Sequence, residues 1–94
     1  MAIVHNNLTV GTTASIIAQV PTGVKTTSVI IYNNDSSAIF VGDAQITSTA
    51  GSNQGLPIPR SSSQQLWLSA GDILYGISAG GTSNGAVTVL YTGI

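Results

Sequence analysis

Short runs rich in Val, Ile, Thr and aromatic residues recur from end to end of this chain, separated by Gly, Asn, Ser and Asp. Turn signals at intervals of roughly 8–12 residues, with apolar and polar positions alternating between them, mark a succession of half-buried strands. The pattern predicts strands near 2–10, 13–20, 24–33, 38–42, 44–47, 64–69, 73–78 and 86–92. No window sustains an apolar stripe at helical spacing opposite a charged face. "TASIIAQV", 13–20, comes nearest, but its β-branched Ile16-Ile17 pair and the closing Val20-Pro21 favour a strand.

Several segments deviate from simple alternation. In "TSVIIY" the apolar residues Val29, Ile30, Ile31 and Tyr32 occupy both faces. Such a strand is expected to be covered on both sides, by a second sheet and a loop or by another subunit. "YNNDSSA", 32–38, is turn chemistry, because Asn and Asp bond their own backbone and tolerate left-handed φ. Gly42-Asp43 and Gly71-Asp72 read as corners, and Asn84-Gly85 as a tight reversal before the last strand. The longest irregular stretch is "STAGSNQGLPIPRSSS", 48–63. Its Pro57 and Pro59 cannot donate to a central ladder, so "LPIP" is an edge or extended segment. About eight short antiparallel strands without helices make an all-β fold, an antiparallel β-sandwich or squat barrel. The 94 residues suit one domain, 1–94, in which residues 1–10 form an edge strand or an extended arm.

Composition then narrows the function. Hydrophobic residues make up 43% of the chain, as a folded domain requires, but charged residues only 5%, against about 25% in an ordinary soluble domain. The charges are Lys25, Arg60, Asp35, Asp43 and Asp72, with His5 the lone histidine. Two cations make no basic stripe for neutralising phosphates, so nucleic acid is not an expected partner. No apolar run approaches the roughly 20 residues of a membrane-spanning helix, and "MAIVHNNLTV" lacks the basic and apolar regions of a secretion leader. A net charge of −1 gives little mutual repulsion, and edges without Lys or Glu invite pairing with another chain. Assembly is the expectation these features share.

Catalytic chemistry finds little material. Nucleophilic catalysis needs a serine with a base and an orienting acid, and His5 sits in a terminal segment. Glycoside hydrolysis needs two carboxylates flanking a cleft, whereas the three aspartates lie beside turn residues. There is no cysteine and no second histidine for a metal. The expectation is a protein with no catalytic residues, metal or cofactor.

Trp67 is the most informative side chain. In "SQQLWLS", period-two alternation sends Leu66 and Leu68 to one face and Gln65, Trp67 and Ser69 to the other. With the leucines in the core, the indole covers a sheet face, anchors a protein interface, or stacks on a sugar. Lys25 and Arg60 read first as solvated charges, with Arg60 favoured for contact by its place in the long loop.

One resemblance joins these segments. "VIIYNNDSSAIFVGDAQITSTAGSNQGLPI", then "LWLSAGDILYGISAGG" and "AVTVLYTG", together resemble a small β-domain of tailed-bacteriophage virion proteins. The pattern is a strand ending at Asn33, an apolar strand ending at Val41-Gly42, then Ile46-Thr47 and Gly55-Leu56. Leu66, Gly71-Asp72, Leu74-Tyr75, Ile77 and the Val87–Leu90 strand complete it. It covers roughly residues 24–93. As a free-standing chain, this domain looks like a capsid decoration (cement) protein. The resemblance implies a virion location on the capsid surface, binding to the major capsid protein, and a homotrimer. A tail, baseplate or head-fibre component on the same domain, or a glycan-binding module using Trp67, are the alternatives. The expected contact surface comprises Ile3, Val4 and Leu8 in the N-terminal segment, Leu56, Ile58 and Arg60 in the 48–63 stretch, and Trp67.

Overall fold

The alternation predicted from the sequence becomes two stacked sheets in the computed structural model, which describes residues 3–20, 26–49, 53–82 and 85–92. Eight strands form: β1 (Ile3–Leu8), β2 (Ser15–Gln19), β3 (Thr26–Asn33), β4 (Ile39–Gly42), β5 (Leu56–Ile58), β6 (Ser62–Ser69), β7 (Ile73–Ser78) and β8 (Val87–Thr92). There is no helix among the described residues. Sheet A has the order β1-β8-β3-β6 and sheet B the order β2-β7-β4-β5, with every pairing antiparallel. The fold is all-β and consistent with a β-sandwich. Lys25, Asn84 and residues 50–52 of the long irregular stretch lie outside the described residues.

The core lies where the inner faces meet. Val29 and Ile31 of β3 and Val87 and Val89 of β8 face Ile17, Ala18, Ile39, Val41, Ile58 and Leu74 of sheet B. Leu66 and Leu68 pack against this cluster from β6, together with Leu8 and Tyr91. A register shift in β2 between Ile16 and Ala18 puts Ile17 and Ala18 on the same buried side, as a bulge does when it inserts a residue into one strand. Gly76 leaves the space that Ile17 fills, since a Cβ there would press on the Ile17 side chain.

Turn residues act as their chemistry dictates. Asn33 is fully buried at the end of β3, and its amide donates to the carbonyls of Ser37 and Ile58 while its Oδ1 accepts from the Asp35 N–H. Each polar atom of that side chain is thereby satisfied, which makes its burial tolerable. Asp35 accepts from the Ser37 N–H, Asp43 from the Gln45 N–H, and Asp72 from the Ser69 N–H. Gly71 turns the last of these corners at φ +83°, a left-handed conformation costly for residues with a Cβ.

Two expectations need correction. Residues 44–47 are not a strand; they lie in a loop whose backbone bonds run between its own two limbs, Thr47 N–H to Asn53 O and Gly55 N–H to Thr47 O. Ile46 is buried there, seated where Gly42 lacks a side chain. "LPI" is β5, an edge strand as its prolines imply, and it tolerates Pro57 because β4 is its only partner among the described strands. For "TSVIIY", a second sheet covers one side, with Ile31 0% exposed, but among the described residues no loop covers the other, where Ile30 is 40% exposed; of the two covers expected for that side, only another subunit is left.

Candidate functional site

The outer face of sheet A is built by the residues that alternation turns away from the core. Strand register aligns His5, Leu90, Ile30 and Gln65 in one row across β1, β8, β3 and β6. The next row is Asn7, Thr88, Tyr32 and Ser63, and on the opposite side Trp67 lies across from Ser28. Trp67 is therefore the diagonal neighbour of Ile30, and Tyr32 that of Leu90. Diagonal neighbours sit about 7–8 Å apart, within reach of aromatic side chains.

These four residues form one exposed apolar patch. Trp67 is 71% exposed, Leu90 41% and Tyr32 37%, alongside Ile30. Polar, uncharged groups border it, and Thr88 Oγ donates to Asn7 Oδ1 at 3.1 Å. None of the residues in these rows is Asp, Glu, Lys or Arg. Isolated exposed apolar residues are ordinary on a protein surface, but a contiguous group with a polar border is the mark of an interaction face. What such a patch offers is apolar contact area, with an indole and a phenol ring of the kind that anchor interfaces.

Sheet B differs on its outer side. Ile16 and Ile73 are exposed there, but Phe40 and Tyr75 are only half-exposed and Ile77 is buried. The loop carrying Ile46 folds back against Gly42 on this sheet.

The sequence-derived contact residues are not brought together. Trp67 stands on the outer face of sheet A, whereas Ile58 is 1% exposed and belongs to the core, opposite Ile39. Ile58 is removed from the contact set for that reason. Leu8 is likewise half-buried against the core. Residues 3–8 are a paired edge strand of sheet A, not an arm available to add to another sheet. The side chains of Ile3 and Val4 lie outside the described set. Leu56 and Arg60 are exposed, but Leu56 begins β5 on sheet B and Arg60 lies just after it, away from the Trp67 strand register. Ile30, Tyr32 and Leu90, which that set leaves out, are the exposed apolar residues that share the outer face with Trp67. For Ile30 and Tyr32 the signal is present in the two-faced apolar pattern of β3, whereas Leu90 belongs to β8.

Among the described residues no three His, Cys, Asp or Glu side chains cluster as metal ligands. Among the same residues no helix is long and apolar enough to cross a membrane. Comparison with family models, curated proteins and solved structures finds no match to this chain.

Proposed function

We propose that this chain is a structural virion protein, a capsid decoration protein that docks on the outside of a phage head and bridges major capsid subunits. The observation that carries the docking part is the exposed, uncharged patch of Trp67, Ile30, Leu90 and Tyr32 on a rigid sheet. A face of this kind suits a flat protein surface, where shape and apolar area do the binding and no chemistry is needed. Its rigidity lowers the ordering cost of contact. The word "capsid" rests on the sequence resemblance over residues 24–93, and the patch supports only docking.

The test is the stoichiometry of this chain in purified particles. A fixed ratio to the major capsid protein, lost from heads when Trp67→Ala is substituted, is the expected result. A few copies per particle, retained on isolated tails, overturns the head assignment in favour of a tail, baseplate or fibre component. Retention of particle binding by Trp67→Ala, with saturable binding of glycan by the wild type, instead assigns the indole to a sugar.

A further inference from the structure

We infer that the free edge of β6 is a self-association site, at which a second copy of this chain pairs β6 to β6 in antiparallel register about a two-fold axis at Gln65. This goes beyond the docking proposal and does not depend on it. Among the described residues β6 is the outermost strand of sheet A, and its pairing with β3 runs unbroken over eight residue pairs from Thr26–Ser69 to Asn33–Ser62. It contains no proline, no charge and no bulge, the devices that ordinarily protect an edge. The edges of sheet B are protected: β2 is bulged, and β5 has three residues including Pro57.

The backbone shows which groups face outward. In an antiparallel strand the N–H and C=O of one residue point to the same side, alternating along the strand. Asn34 donates its N–H to Ala86, on the β8 side, so Asn33 and Ile31 direct theirs to β6. At the other end of β6, the Ser69 N–H and C=O are both taken by Asp72. Both observations assign the free edge to Ser63, Gln65 and Trp67. The Gln65 carbonyl accepts from the Gln64 side-chain amide at 3.2 Å, as a carbonyl without a strand partner can.

Register follows from these groups. A two-fold axis at Gln65 sets Gln65 against Gln65 and Trp67 against Ser63, so every residue with outward-facing backbone groups from 63 to 67 finds a partner. A shift of the axis to Leu66 would set Ser63 against Ser69, whose groups Asp72 already holds. In the chosen register each indole lies over a small Ser63 side chain, beyond which stands Tyr32 of the same copy as that serine. The charges agree. Arg60 and Asp72 are exposed just beyond opposite ends of β6, so antiparallel pairing brings unlike charges together at both ends. β1, the other edge of sheet A, has no such pair of described flanking charges. The product is one continuous sheet with two Trp67 patches on the same face.

Light scattering on the purified chain, over a concentration series, is expected to give a mass of about twice the 9.5 kDa of one chain. Gln65→Lys and Gln65→Glu each place like charges at the axis and should weaken association by roughly tenfold or more. Their circular dichroism and melting should stay as in the wild type, because the Gln65 side chain is exposed. An equal mixture of the two variants should restore the two-chain mass. A wild-type monomer throughout the series overturns the inference, as does a three-chain mass of the kind the decoration-protein resemblance implies. So does a folded Gln65→Lys variant that still dimerises, a mixture that remains monomeric, or unfolding of either variant. Particle stoichiometry is read separately, so either proposal can fail alone.

Discussion

Ile30 and Ile31 are adjacent in the same strand, have the same composition, and are opposite in environment. Ile31 sits between the sheets among Val29, Val87 and Val89, and Ile30 stands in the open between Leu90 and Gln65. The difference shows that hydrophobicity alone does not divide core from surface in this chain. Parity within the strand does, because register fixes which side chains meet the opposite sheet. Sheet A thus has two apolar faces: one builds the fold, and the other is free to build something else.

Substitutions at the two positions should separate those roles. Ile31→Ala is expected to lose roughly 2–5 kcal/mol of stability, since it removes buried methylenes and leaves a cavity that the rigid sheets cannot close. Urea unfolding measures this directly, and a loss as small as that of a surface substitution would place Ile31 outside the core. Asn33→Ala should come next, at roughly 1–3 kcal/mol, by leaving the buried Ile58 carbonyl and its neighbours without a donor. The same unfolding experiment checks it, and an unchanged midpoint would mean that water replaces the amide. Ile30→Ala should cost about 0.5 kcal/mol or less, as an exposed position does. Ile30→Asp should fold with a native circular-dichroism spectrum while losing attachment to heads. The smallest effect concerns salt. With no charge among the patch residues, head occupancy should change little between low and high ionic strength. Stripping by modest salt would point instead to Arg60 or the aspartates.

Much of this comparison could be read before any coordinates. The alternation in "SQQLWLS" assigns Leu66 and Leu68 inward and Trp67 outward, and the structure has them so. Turn residues such as Asn33 and Asp35 are legible because their hydrogen bonds are local. Failures arise where a residue's environment is set by contacts distant in sequence. Ile58 looks like a loop residue beside two prolines, but pairing with β4 turns it into the core. Three residues are too few for alternation to declare a buried side. Ile46 resembles a strand residue, yet its seat depends on Gly42 and a loop that bonds to itself. The outer patch was half legible. Four apolar residues in "VIIY" announce two apolar faces, but which face stays open depends on which side sheet B covers. Ile3, Val4 and Leu8 were drawn to the contact surface by their terminal position, a feature that carries no information about pairing. Ile3 to Leu8 make up β1 and its ladder to β8, so removing them would disturb the fold as well as any contact.

Under the proposed function, the outer face of sheet A, marked by Trp67, is the surface that meets the particle. Trp67 is the only tryptophan in the chain, so it can be replaced biosynthetically by a hydroxytryptophan that is excited apart from the tryptophans of the head. Acrylamide quenching of that residue, with and without empty heads, is the most direct measurement. Strong quenching of the free protein is expected, with clear protection once the protein cosediments with heads. Cosedimentation with quenching unchanged would contradict that proposal, because the protein would then be docked by some other face.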